Sequence, residues 1–351
     1  MADNKVDLYQ PRMLVAALHQ AASPRRFLMK TFFKNIKTHD TKTVDLDIRK
    51  GKRTVAAIVH PLHNGKVVER AGFTTNTVHP AYTKELIPMR PGDTVSRAFG
   101  EDYSTPLTPQ QRAARILGED LSELDDRLTR REEVMAAQAL FNGKVHVLGE
   151  GLDFEVDFGY EQDRHLITLS GSDTWDSGGD PMRDLDNWSR ATVARCGLKP
   201  DIAIMGKNVS WAVLDNEKVK ERLDIRNFFM GAMGPVQSGA IAEEEDGVTW
   251  HGRLAPSNID LYTYDELWLN PLTGEEEPLI PDDAIFLGST RAGCLMQYGL
   301  IQNMYALGSM PRFPLSWTEN NGSARWLQLE SAPMPNPYQV DAFTVARVLS
   351  D

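Results

Sequence analysis

The stretch TPQQRAARILGEDLSELDDRLTRREEVMAAQALFN, residues 108–142, constrains the fold more than any other part of the chain. Thr108 stands as an N-cap, Pro109 takes the first helical position, where its missing N–H costs nothing, and Gln111 sits where a capping box needs it. Asn142-Gly143 is a helix stop. Between them Leu117, Leu121, Leu124, Leu128 and Met135 recur at helical spacing and mark one apolar stripe. About 34 residues make a rod of roughly 50 Å. A rod of that length with one apolar side must lie on something. A sheet is the simplest support; a coiled coil would have Arg131 breaking its seam.

A chain of 351 residues exceeds what one compact core holds, so two to three domains are expected. Hydrophobic residues at 41% and charged residues at 25% fit a globular protein rather than a disordered one. The longest uncharged run, 292–311, contains Gln297, Gln302, Asn303, Ser309 and Pro311, so it fails as a membrane span. MADNKVDLYQPR lacks the basic start, apolar stretch and cleavage site of a secretory signal, which predicts a protein that stays in the cytoplasm where it is made. Cys196 and Cys294 are too few for a disulfide framework and match a reducing compartment. Charge is uneven: residues 1–70 hold 14 Lys and Arg against 6 Asp and Glu, although the whole chain carries −11. A basic leading segment on an acidic body suits either nucleic acid or the acidic surface of a neighbouring copy. Without clustered aromatics or a nucleic-acid motif, the second reading is preferred.

Residues 1–43 read as an arm, with a short amphipathic helix at RMLVAALHQ and then SPRRFLMKTFFKN, where Phe27, Phe32 and Phe33 alternate with basic residues and are expected to pack on something else. From 44 to 98, TVDLDIRKGKRTVAAIVH and ELIPMRPGD read as strands of an extended, projecting hairpin, with turn signals at Lys50-Gly51-Lys52 and Asn64-Gly65. Such a hairpin is marginal alone and asks for a partner. After the long helix, KVHVLGEG, DFEVDFGY and HLITLSG read as strands, DNWSRATVARCG and NVSWAVLDNEKVKERLD as helices, and PDIAIMG as a buried strand. VTWHGRL, NIDLYTYDELWLN and DAIFLGST are further strands of a mixed α/β domain, and the chain ends in a strand, a Pro-rich turn and another strand.

Chemical motifs are weak. LSGSDTWDSGGDPMRDLDNW, residues 169–188, groups Asp173, Asp176, Asp180, Asp184 and Asp186 around Gly178-Gly179, but the spacing is not that of a calcium loop. A solvated linker is the plainer reading. His60 and His63 are only two of the four ligands that zinc wants. GAMGPVQSG lacks the ending of a phosphate loop, no G-x-S-x-G elbow exists, and His146, His165 and His251 have no paired nucleophile. No catalytic, cofactor or metal residue is assigned.

The elements in order resemble the major capsid protein E family of lambda-like tailed phages. The resemblance is carried by HPAYTKELIP (79–88), RREEVMAAQALFNGKV (130–145), AVLDNEKVKERLDIR (212–226), IFLGSTRAGCLMQYGLIQN (285–303) and SAPMPNPYQVDAFTVARV (331–348). It implies the α+β Hong Kong 97-type capsid fold: an N-terminal arm (1–43), an extended loop (44–98), a peripheral domain (99–185, with a spine helix at 108–142, and 313–351) and an axial domain (186–312). Arm and loop would reach over neighbouring subunits, axial tips would meet at the centres of hexamers and pentamers, and the aspartate-rich stretch would be a polar hinge between domains. Lys50, Lys52, Arg53, Tyr82, Lys84, Arg130 and Arg131 are the candidate assembly-interface residues. The implied protein is a virion capsid subunit, made and assembled in the bacterial cytoplasm. Its partners are its own copies, a separate scaffolding protein, a portal protein, a decoration protein as an open question, and packaged DNA held without sequence specificity. Two rivals predict different behaviour. A metal-dependent enzyme would bind a divalent ion through Asp173, Asp176 and Asp180, and a nucleic-acid-binding protein would lose salt-dependent DNA affinity when residues 1–70 are removed.

Overall fold

A computed structural model describes residues 9–20, 26–49, 73–96, 101, 107–149, 151–224, 247–255, 257–270, 273–306 and 308–350. The spine helix runs Pro109–Ala137. Thr108 and Gln111 close the expected capping box. The helix then widens into a π-turn, Gln138–Asn142, before Gly143 ends it at φ 66°. A side chain at Gly143 would put its Cβ 2.2 Å from the Tyr160 ring, so the stop needs glycine twice over.

The helix lies on a sheet. Leu117, Leu121, Leu124 and Leu128 pack on Met89, Leu327 and Leu329. These belong to an antiparallel sheet ordered Phe313–Thr318, Arg325–Ser331, Thr83–Met89. ELIPM is therefore not an arm of the extended hairpin; it pairs along its length with Arg325–Ser331. Strand Val44–Arg49 pairs instead with Phe73–Val78, in a register that ends at Arg49 opposite Phe73. Lys50, Lys52, Arg53, His60, His63 and Asn64-Gly65 lie outside the described residues.

A seven-stranded mixed sheet forms the α/β unit. Its order is Leu166–Thr168, Thr344–Arg347, Ala284–Gly288, Ile202–Met205, Ile259–Tyr264, Val248–Leu254, Leu223–Asp224. The two strands at one end lie in segments 99–185 and 313–351, so hydrogen-bonded pairing runs across the boundaries drawn from sequence. Ile202–Met205 is buried on both faces, as its unbroken apolar run predicts. Ala203 and Met205 face Val209, Val213 and Leu185 of the covering helices. Ile202 and Ile204 face the other way, into a cluster with Phe27, Phe32, Phe33, Leu140, Phe141 and Phe286.

That second cluster corrects the arm. Phe27, Phe32 and Phe33 are 2%, 3% and 1% exposed and form part of this chain's own largest core. Only three aromatics are visible in the segment, too few for a core by themselves, but the spine helix and the sheet supply the rest. The Pro-rich turn is also a strand: Pro333–Asn336 pairs antiparallel with Leu295–Tyr298, and Asn35–Thr38 pairs in parallel with the other side of Leu295–Tyr298. Pro333–Asn336 sits at the edge, where proline's missing N–H removes nothing from the ladder.

Candidate functional site: a braced subunit with uncovered faces

Buried ion pairs lock the spine helix to its neighbours. The Arg312 guanidinium donates to Asp125 Oδ1 (2.9 Å) and to both oxygens of Glu132 (2.5 and 2.9 Å), with Thr129 and Ser331 hydroxyls alongside. Burial works against its charge, but Glu132 and Asp125 outweigh that and hold its pKa raised. The next residue, Glu133, accepts from the Leu28 and Met29 amides (2.6 and 3.1 Å), placing a carboxylate at the open N-terminus of helix Phe27–Thr31. Arg112 pairs with Glu101 at 2.7 Å in the first turns of the spine. Sequence reading found none of these pairs, because their partners lie about 10 to 180 residues apart and a charged residue on a helix reads as solvent-facing.

Of the candidate interface residues, Tyr82 is committed within the chain. Its hydroxyl donates to the buried Glu330 carboxylate, which also accepts from Asn303 (2.7 Å) and lies 3.7 Å from Lys84 Nζ. Burial and then this carboxylate push the Tyr82 phenol upward, so it stays a donor. The half-exposed Lys84 keeps one side in solvent. The Arg131 guanidinium lies 6.0 Å from the Trp268 ring, and burial lowers its pKa. Arg130 is exposed on the helix surface.

The aspartate-rich stretch is pinned rather than hinged. Both its flanks, strand Leu166–Thr168 and helix Pro181–Cys196, belong to the same α/β unit. The Trp175 amide donates to the Val348 carbonyl (2.9 Å), and its buried ring stacks on Trp188. Asp176 accepts from the Ser350 hydroxyl, which with Thr174 draws its pKa down to about 2. Asp180 caps the helix and pairs with Lys218 at 2.6 Å, and Asp184 accepts from the Trp175 indole N–H. A Cβ at Gly179 would lie 2.3 Å from the Asp173 carbonyl oxygen, which explains that glycine. Among the described residues no three His, Cys, Asp or Glu side chains group to hold a metal ion. A cleft of about 510 Å³ is lined by residues that include Phe141, Leu166, Thr168, Asp283 and Arg347. It brings together no histidine with a nucleophile.

Uncovered apolar surface remains. Across the three-stranded sheet, Pro88, Trp326 and Trp317 align in one row on the face away from the spine helix, with Leu86 beside them in the next row, whose central Gln328 is buried. Leu86 is 44% and Trp317 38% exposed. A solvated sheet face should be polar, so this one is suited to being covered.

Comparison with known proteins accounts for this architecture. A crystal structure of a prophage protein from Escherichia coli CFT073, described as a candidate capsid protein, superposes with a TM-score of 0.76 at 20% identity, covering 96% of this chain and 98% of its own. The chain has the Hong Kong 97-type capsid fold. The family model for phage major capsid protein E matches residues 10–348, and the chain belongs to that family. The major capsid protein of Enterobacteria phage P21 is 29% identical over 358 residues, covering 97% of this chain and 99% of the relative. That of Escherichia phage lambda is 27% identical over 342 residues, covering 94% and 96%.

Proposed function

We propose that the chain is the major head subunit of a tailed phage, assembling through hexamers and pentamers into an icosahedral shell around packaged double-stranded DNA. The family match across residues 10–348 carries this reading. The uncovered row of Pro88, Trp326 and Trp317 fits it physically, since identical copies meeting head to tail can cover such faces and close into rings. Modest contacts suffice when many engage together. The spine with strands Phe313–Thr318 and Arg325–Ser331 serves as the peripheral part, and residues 186–312 serve as the axial part. Copies are made and assembled in the host cytoplasm and end in the virion, with a separate scaffolding protein and a portal, and with DNA enclosed but not read. An acidic inner face keeps that DNA from sticking during filling.

Lys50, Lys52, Arg53, Lys84 and Arg130 are the cations available to steer contacts, and Tyr82 and Arg131 support the strands and helix that present them. The test is negative-stain electron microscopy and sedimentation of the protein made alone and with its phage's scaffolding protein. Shells, tubes or ring-shaped capsomers are expected. A small uniform oligomer under both conditions would end the reading.

A further inference from the structure

Two short strands leave an edge open, and the two edges carry opposite charge. Asn35–Thr38 lies at the end of its three-stranded sheet and pairs only with Leu295–Tyr298. The His39 amide donates to the Tyr298 carbonyl at 2.8 Å, so in this parallel ladder Asn35 and Lys37 turn their backbone groups inward while Ile36 and Thr38 turn theirs outward. Ile36 is 56% exposed, between the exposed Lys34 and Lys37. The second edge is Leu267–Leu269, which pairs with Glu276–Pro278 on one side only. The Leu279 amide donates to the Glu266 carbonyl (2.8 Å) and the Asn270 amide to the Glu275 carbonyl (2.9 Å). Glu266, Trp268 and Asn270 are therefore the inward residues, and the backbone groups of Leu267 and Leu269 point out. These leucines are 56% and 62% exposed. Their surroundings are acidic: no Lys or Arg occurs from residue 254 to residue 290, whereas Asp265, Glu266, Glu275, Glu276 and Glu277 fall in this hairpin or next to it. Among the described residues no strand pairs with either outer edge.

An edge with unpaired N–H and C=O groups is a template for another strand, and lysines on it resist a like edge but suit an acidic one. We propose that the Leu267–Leu269 edge of one copy adds antiparallel to the Asn35–Thr38 edge of a second copy, joining two sheets across the subunit boundary. Outward residues must face one another. Pairing Ile36 with Leu267 meets that condition, sets Lys37 opposite Glu266, and puts Lys34 in one row with Leu269 and Glu276. The exposed isoleucine then covers an exposed leucine. Pairing either edge with its own kind would crowd like charges, so charge selects the unlike edge. Both strands keep their places in their own sheets. Two different surfaces meet, so the contact runs head to tail and can close into a ring. This rests on the self-assembly reading above and names a pair of surfaces that the reading leaves open.

The test mixes single-cysteine variants. Opposite residues that do not exchange backbone hydrogen bonds lie about 4.5 Å apart at Cα in an antiparallel pair, within disulfide reach. Lys37→Cys and Glu266→Cys, each in a Cys196→Ser background, are assembled together and oxidised; a bond joining one copy of each is expected from the mixture and from neither variant alone. Ile36→Pro deletes an outward N–H and none of the bonds to Leu295–Tyr298, so circular dichroism and subunit melting should match the parent while the assembled fraction in sedimentation falls about tenfold. Lys34→Glu/Lys37→Glu, and separately Asp265→Lys/Glu276→Lys, should lower it by a similar factor, with the combined variant returning to within about threefold of the parent. No bond in the mixture, normal assembly of either charge-reversed variant, or failure of the combination to recover overturns the proposal while leaving the capsid reading intact. A parent that forms no assembly even with its scaffolding protein removes both.

Discussion

Two strands with apolar residues on both faces meet different fates. Ile202–Met205 is central in the seven-stranded sheet and is covered on one side by its own helices and on the other by the Phe27–Phe33 segment and the end of the spine. Arg325–Ser331 is central in the three-stranded sheet, and the spine helix covers Leu327 and Leu329 on one face only. Its other face leaves Trp326 half-buried beside the exposed Trp317 and Pro88. The first sheet completes its core within one chain and acts as the rigid body of the subunit. The second is finished on one side; on the other, its Gln328 and Glu330 end is buried within the chain, and only the Trp326, Trp317 and Pro88 end is left for a neighbour to cover. The division matters for a shell, because a subunit must be folded before it docks and must still have something to bury when it does.

The largest effects should come from the self-contained side. Glu132→Ala leaves Arg312 buried with only part of its charge met, and a loss of about 3–5 kcal/mol is expected in urea unfolding of the unassembled subunit. Phe286→Ala, at the centre of the aromatic cluster with Phe32, Phe141 and Phe343, should cost a similar ~3–5 kcal/mol. If either is tolerated with little change, the braced body is not what holds the subunit. Trp317→Ser is the contrasting case. Within the unassembled subunit it should shift stability by no more than about 0.5 kcal/mol, yet the yield of shells or capsomers should fall; a matching loss of subunit stability would show that the outer face is already covered by its own chain.

A smaller effect sharpens the picture of the spine. Asp120 is half-buried, and desolvation, with Glu123, Glu119 and Asp93 adding like charge, raises its pKa from 3.8 to about 6. Its protonated form is the one the fold favours, so its contribution is present below pH 3.8 and is lost as pH rises through about 6. Asp120→Asn should therefore raise the melting temperature slightly at pH 7 and leave it nearly unchanged at pH 4. An equal shift at both pH values would assign the effect to packing instead.

The spine helix was legible almost to its ends because its information is local: cap, first-turn proline, stripe and stop all lie within the segment they define. Ile202–Met205 was legible for a related reason, since a strand buried on both faces is apolar at every position. The pairing of ELIPM was not, because a strand's alternation says that it pairs but not with what, and Arg325–Ser331 lies more than 230 residues away. The proline strand at 333–336 read as a turn for want of knowing that it forms an edge. What surrounds the candidate interface residues was not legible, because their partners come from far along the chain. Lys84 and Arg130 keep solvent exposure, whereas Tyr82 and Arg131 turned out to be engaged with Glu330 and Trp268. The leucine face of the 267–278 hairpin gave no signal, since two leucines flanking a tryptophan look like a strand with a core side.

By itself the amino-acid sequence determined the long capped helix, the buried α/β strands, the absence of a recognisable catalytic motif and, through its matched segments, the family. Tertiary structure alone decided which carboxylates became braces, that Phe27, Phe32 and Phe33 complete this chain's own core, and that the aspartate-rich stretch is fastened to the last strand. The physical reason is range. Caps and apolar periodicity act over a few residues, whereas the burial of a charge or an aromatic ring depends on what the fold brings against it from far along the chain.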